Sequence, residues 1–373
     1  MSGKKSDPPV LDGPPLTPVR SAGRPRWADL RWRGGPVALP WVVALAMLII
    51  SIILYPGSIG FGGLATMTPL LGVLIIASLG QSLVIGTGGI DLSVSSVVTV
   101  VGIIFVMQSA GDGHSVTVSA LVAIGAGVIC GIANGLLVEY LGLSPLISTL
   151  ATGQVMAGLA NIWYGRGANR LSVPGEWTNV TGLTLGNGIS YILMASVVLV
   201  ILTSVILSYT AVGRRLTAAS TSPRASRYQG VSVRRYRAGT YVLASLLYGI
   251  GGVLLVGSIG TPTLSLGDIY QLSTIVVVVL GGAALSGGRL HPGATLAGAI
   301  FLSFINQDVA ATGAAPGTQG VIQGAVLILA MLATGLGAFR LLRRRRHVTP
   351  TPLTPTAINT IPGPAVQIPQ QTG

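Results

Sequence analysis

Charged side chains are scarce, at 8% of the 373 residues, where soluble domains carry roughly 25%. Half of the residues are hydrophobic. That combination excludes an ordinary water-soluble domain and describes a polytopic membrane protein. Cysteine is nearly absent. Cys130 stands alone inside an apolar run, which excludes an intrachain disulfide and a cysteine metal cluster. The three histidines, His114, His291 and His347, are too scattered to form a metal site, so no metal is expected. No Gly-x-x-x-x-Gly-Lys-Ser/Thr phosphate loop occurs, so the chain does not hydrolyse ATP itself, and neither an enzymatic activity nor a bound cofactor is expected.

Charge is also missing from the middle of the apolar runs. Asp91, Glu139, Asp268 and Asp308 all fall at predicted span ends. A self-energised carrier usually keeps an ionisable group or an unwound cation site within its bundle, so this pattern argues against one. The uncharged polar residues within the spans are Gln81, Asn134, Gln154, Asn161 and Asn306. They suit a path for a neutral, hydroxyl-rich solute, or serve as interhelical hydrogen bonds of about 1 kcal/mol each.

What is present is glycine, 53 residues of it, as expected where membrane helices pack on small residues. A spanning helix needs roughly 20 apolar residues. Ten stretches qualify, at 38–55, 62–86, 91–109, 116–138, 145–164, 188–210, 238–260, 270–287, 292–306 and 318–338. The expected fold is therefore all-α and polytopic, with about ten transmembrane helices, several of them broken at glycines. The net charge of +13 does not signal nucleic acid, because the basic residues lie in patches between spans. With the amino terminus in the cytoplasm, seven Lys/Arg fall in the first tail, seven in 212–237, one at Arg289 and five in 340–346. Only Arg166 and Arg170 face outward. The positive-inside rule selects this arrangement, with both termini cytoplasmic.

Three regions follow. Residues 1–36 read as a disordered cytoplasmic tail whose Arg/Trp end suits the headgroup layer. No small-residue cleavage site follows the first apolar run, so it does not read as a signal peptide. Residues 37–339 form the transmembrane domain. Residues 340–373 form a basic, then Thr/Pro-rich, disordered cytoplasmic tail. The loop 212–237 is the largest cytoplasmic segment and has room for one or two short surface helices. It is either a solvated loop touching lipid headgroups or a docking element for a cytoplasmic partner. The outer loop 165–187 either receives an external partner or caps the bundle.

Two glycine-rich junctions interrupt the apolar runs. The first is Ile85-Gly86-Thr87-Gly88-Gly89-Ile90-Asp91-Leu92-Ser93. Its glycines permit a sharp break, and Asp91 suits the N-cap of the helix that follows, near the bilayer edge. The second runs from Leu280 through Gly281, Gly282, Ser286, Gly287 and Gly288 to Gly293. Paired breaks of this kind mark a duplicated transporter architecture, or are simply turns between short helices.

The run Gly88-Gly89-Ile90-Asp91-Leu92-Ser93-Val94 after a long apolar helix resembles the permease subunit of a ribose-type ABC sugar importer. Leu146-Ile147-Ser148-Thr149-Leu150-Ala151-Thr152, Gly213-Arg214 and Gly230-Val231 extend the resemblance. So do Val279-Leu280-Gly281-Gly282-Ala283-Ala284-Leu285-Ser286-Gly287-Gly288 and Gly293-Ala294-Thr295-Leu296-Ala297-Gly298-Ala299. It covers roughly residues 40–338. The resemblance implies a multi-pass permease of a bacterial cytoplasmic membrane that pairs with a second permease copy, identical or not. It also implies cytoplasmic ABC ATPase subunits, which use the ATP, and an extracytoplasmic solute-binding protein. Within it, Arg214, Arg215, Ala225, Arg227 and Gly230 become the ATPase-coupling loop, and Gly88, Gly89, Asp91, Ser93, Gly281, Gly282, Gly287 and Gly288 the signature and helix breaks. Two departures stand out. Ser220-Thr221-Ser222-Pro223-Arg224-Ala225 replaces the family's Gly-Gly-Asn, acidic residue and Ala-Ala, and Leu290-His291-Pro292 replaces an apolar-Gly pattern. Alternatives are a related permease for nucleosides, a furanone signal or branched-chain amino acids, and, in another class, a non-transporting membrane scaffold.

Overall fold

The long apolar runs fold as helices because a chain in hydrocarbon must satisfy its backbone groups within each segment. The computed structural model describes residues 38–315 and 317–345, with side chains through residue 332. The expected tail 1–36 and the Thr/Pro-rich stretch 348–373 lie outside the described residues. Among the described residues thirteen α-helices follow in order: α1 (Ala38–Leu54), α2 (Phe61–Gly86), α3 (Val94–Val106), α4 (Val116–Glu139), α5 (Pro145–Gly165), α6 (Gly175–Thr181), α7 (Tyr191–Tyr209), α8 (Ala211–Thr221), α9 (Pro223–Tyr228), α10 (Val233–Ile259), α11 (Asp268–Leu280), α12 (Pro292–Ala311) and α13 (Gly317–Arg345). Strand pairing among the described residues is limited to an isolated bridge between Thr184 and Ser190.

Each of the ten predicted stretches is helical, but the boundaries move. α3 begins at Val94 rather than residue 91, α11 ends at Leu280 rather than 287, and α10 starts at Val233 rather than 238. Glycine turns set the first two limits. Among the described residues, six helices are long and apolar enough to cross a membrane: α2, α4, α7, α10, α12 and the continuous helical stretch Val94–Gly111. α1, α11 and Gly317–Leu332 are shorter apolar helices. Starts are chemically marked. Ser190 Oγ accepts the Ile192 amide and Thr210 Oγ1 that of Gly213, both at 3.1 Å, while Pro145, Pro223 and Pro292 occupy first turns where no amide is needed.

α2 is the central strut. The apolar window of α2 is 94% buried, against 17% for α7, so α2 carries the core and α7 faces outward. α10 packs along α2, α3 and α4, and α11 and α12 close the other side of α2. The α4–α10 contact is close because Gly127, Gly131 and Gly135 line one stripe of α4. A Cβ on Gly131 would lie 2.6 Å from the Tyr241 carbonyl oxygen, and one on Gly135 2.9 Å from that of Ala238. This is the small-residue packing by which membrane helices gain dispersion contact without a hydrophobic drive. The loop 165–187 folds back on the bundle: Trp177 Nε1 donates to the Val253 carbonyl at 3.0 Å, and its ring lies 5.8 Å from that of Phe105.

Candidate functional site

The two glycine-rich junctions meet. α2 is capped at its end by Thr87, whose Oγ1 donates to the Val84 carbonyl at 2.9 Å, and Gly88 then turns with φ +85°. In the second junction Gly287 has φ +88°. Both angles lie in the left-handed region that side chains resist. The Gly288 amide donates to the Gly86 carbonyl at 2.9 Å. A Cβ on Gly287 would stand 3.0 Å from both Gly86 O and Gly88 N. Backbone therefore lies directly on backbone, at a separation only glycine permits. Gly282 also has positive φ, a Cβ on Gly281 would lie 3.0 Å from the Ala294 backbone, and one on Gly89 would strike the Tyr241 hydroxyl. The departure at Leu290 has a place too, since its side chain covers Gly86.

Arg237 clamps this crossing. Its Nη2 donates to the Thr87 carbonyl, and its Nη1 lies 3.8 Å from Glu139 Oε1. Thr87 Oγ1 and Thr240 Oγ1 are 3.4 Å apart. The first turns of α10, the end of α4 and the first junction are thus tied through one guanidinium, whose planar fork suits such a shared role. Sequence reasoning saw Arg237 only as the last charge of a basic loop. The available signal was Glu139, the one acidic residue between spans four and five.

Asp91 is fully buried and is not the N-cap of α3. That position belongs to Ser93, which makes no side-chain cap. Asp91 Oδ1 instead accepts the Ser93 amide at 2.9 Å and the Ser93 hydroxyl at 2.6 Å. The network continues outward. Asn134 Nδ2 donates to Ser93 Oγ at 3.0 Å, Thr152 donates to Asn134 Oδ1, and Thr149 Oγ1 accepts the Leu92 amide at 3.0 Å. Asp91 therefore shapes the turn that α4 and α5 then grip. The tight turn leaves the carboxylate two residues short of the N-cap position.

The expected coupling residues lie on α8, on α9 and in the turn that follows α9. α8 and α9 are two short helices where the sequence left room for one or two, and Arg214, Arg215, Ala225, Arg227 and Gly230 are all exposed. Gly213, Leu216, Ala219 and Ser220 turn inward, against α7 and α10. The atypical run Ser220–Ala225 keeps a helix–turn–helix: Ser220 Oγ donates to the Leu216 carbonyl at 2.9 Å, the Ser222 amide to that of Ala218 at 3.0 Å, and Pro223 opens α9. Arg227, Arg234, Arg235, Tyr140 and Gly230 border an open cavity of about 550 Å³.

The five amides expected along a solute path are not brought together. Gln81 is buried and accepts from the Tyr248 hydroxyl at 2.8 Å. Asn134 belongs to the Asp91 network. Gln154 and Asn161 lie on the exposed side of α5, and Asn306 lines a cavity within the bundle. Asp308 lies in the last turn of α12 rather than beyond it, 7% exposed, accepting from Ser51 Oγ at 2.7 Å. Beside the second junction, burial and the neighbouring Arg289 hold the His291 imidazole below its usual pKa.

Residues 63–331 match the family described as branched-chain amino acid transport system / permease component. The chain is 33% identical to the probable ABC transporter permease protein y4mJ of Sinorhizobium fredii, over 78% of this chain and 86% of that one. It is 30% identical to the galactose/methyl galactoside import permease protein MglC of Escherichia coli, over 79% of this chain and 93% of that one. To the ribose import permease protein RbsC of Bacillus subtilis it is 28% identical, over 79% and 91%. No solved structure matches the chain.

Proposed function

Because the chain belongs to the family of transport-system permease components, we propose that it is the membrane permease subunit of an ATP-binding-cassette importer for a monosaccharide or sugar-like solute. The single observation that carries this reading is the match across residues 63–331, which includes both glycine junctions and the α8–α9 surface. Relatives named for galactose and ribose import support the solute class. It is a multi-pass protein of the bacterial inner membrane. Our reading has ten spans with both termini in the cytoplasm, supported by the placement of twenty of the 22 basic residues on one side.

In this reading separate ATPase subunits dock on the exposed arginines of α8 and α9, a binding protein delivers the solute at the opposite side, and a second permease completes the unit. Closure of the ATPases favours one permease state over another by differential affinity. The movement enters through α10, whose Arg237 holds Thr87 at the junction crossing. α2, α11 and α12 all end or begin at that crossing, so a shift there reaches the rest of the bundle through rigid helices.

The test is reconstitution of the permease with its ATPase and binding protein in proteoliposomes, with galactose, ribose, fructose, leucine and uridine as solutes. ATP-dependent uptake of a monosaccharide is the expected result. Uptake of leucine or uridine alone overturns the solute class. Absence of stimulated ATPase activity with every solute favours a scaffold.

A further inference from the structure

At the end of the bundle opposite the junction crossing, the starts of α2, α11 and α13 and the end of α12 enclose a cavity of about 410 Å³, within the ~300–1,000 Å³ of small-molecule sites. Its two sides differ. Met67, Leu70 and Leu74 of α2 make an apolar wall, while Ser303, Asn306, Gln307 and Gln319 face it from α12 and α13. The amides keep free hydrogen-bonding capacity. Asn306 Oδ1 accepts from Gln323 at 3.4 Å, leaving its Nδ2 as a donor. Gln307 Nε2 is engaged by the Ser58 and Gly63 carbonyls at 3.1 and 3.4 Å, leaving its Oε1 as an acceptor. Every described residue lining the cavity is uncharged, and Asp308, one position beyond Gln307, points to Ser51 of α1 instead.

We propose that this cavity is a station for a neutral polyhydroxylated solute, resting on the importer reading above. A pyranose or furanose presents hydroxyls around its edge and apolar C–H on its faces, which matches an amide wall opposite a Met/Leu wall. A zwitterionic amino acid would bury both charges without a partner, at a cost of several kcal/mol. The cavity thus separates sugars from amino acids by chemistry. It is also mechanically connected, because α2, α11 and α12 each run from this cavity to the glycine crossing.

The experiment compares wild-type, Asn306→Ala, Gln319→Ala and Ser303→Ala permeases in the complete reconstituted transporter. Galactose, ribose, fructose and leucine serve as probes. We expect each variant to lower monosaccharide uptake by up to roughly tenfold at saturating binding protein, the scale of a lost hydrogen bond, with normal recovery of the assembled complex. Gln319 is only half-buried, in the first turn of α13, so its variant guards against misfolding. A second readout uses Gln319→Cys. The native Cys130 is buried, so a membrane-impermeant thiol reagent should modify only the introduced cysteine, and the transported sugar should slow it. Normal uptake by all three alanine variants, or labelling unaffected by sugar, overturns the cavity assignment while leaving the importer reading intact. Failure of the wild type to take up any monosaccharide overturns both.

Discussion

Gly288 donates its amide to the carbonyl of Gly86 at 2.9 Å, joining two chain breaks that lie in opposite halves of the sequence. A single backbone hydrogen bond is worth only about 1 kcal/mol net. Its importance here is positional, because the end of α2 is held against the turn that leads into α12. Predictions about this region follow from which atoms have room to change.

Gly287→Ala should lower the thermal midpoint of the purified protein more than Gly113→Ala does. Both glycines have positive φ, at +88° and +70°, and alanine there costs about 1–2 kcal/mol. Gly113 has nothing within 4 Å of an added Cβ, whereas Gly287 would meet Gly86 and Gly88 at 3.0 Å. Equal shifts would mean that the crossing is loosely packed.

Asp91→Ala should reduce folded yield more than Asp91→Asn. Alanine leaves the Ser93 amide and hydroxyl without their acceptor, a loss of about 1–3 kcal/mol for each orphaned buried group. Asparagine retains the acceptor oxygen. Monodisperse protein after detergent extraction is the measurement. Normal yield of the alanine variant with abolished uptake would assign Asp91 to transport rather than folding.

Arg237→Ala and Glu139→Ala should be non-additive by about 1 kcal/mol in a double-mutant cycle of stability, given their 3.8 Å contact. Arg237→Ala should in addition reduce solute uptake per ATP hydrolysed, since it also releases Thr87. An additive cycle with unaltered coupling would remove Arg237 from the clamp.

Charge reversal of Arg214, Arg215 and Arg227 to Glu should release the ATPase during co-purification. All three are exposed on α8 and α9, so the permease itself should stay folded. Undiminished co-purification would locate docking elsewhere.

Between pH 7.5 and 5.5 the wild-type protein should lose stability that His291→Gln retains. Folding holds the His291 pKa below its usual 6.5. The unfolded chain therefore takes up the proton first as pH falls through 6.5, and stability declines until the folded form also protonates. Parallel pH profiles for both proteins would show that His291 is solvated.

Much of this molecule was legible because membrane helices write themselves as long apolar runs. Their period and length were enough to place a helix in each predicted stretch, and Thr210, Pro145 and Pro292 mark their own helix starts. The α8–α9 pair was readable because arginines cannot enter the bilayer and small residues between them form a helical inner face. Asp91 was visible as a lone carboxylate but was given the wrong hydrogen-bonding position, because a turn of two residues decides whether a side chain caps a helix or folds back on Ser93.

Composition and local pattern determined the membrane class, the helices and the two glycine breaks, since those depend on near neighbours and on the solvent each segment meets. Tertiary structure alone decided that the breaks touch, that Arg237 spans Glu139 and Thr87, and that Gln81 and Asn134 bond within the core while Asn306 faces a cavity. Those outcomes depend on contacts between residues far apart in the chain. Such contacts are set by how helices pack at glycine stripes such as Gly127–Gly131–Gly135, and no local spacing encodes the rotation at which one helix meets another.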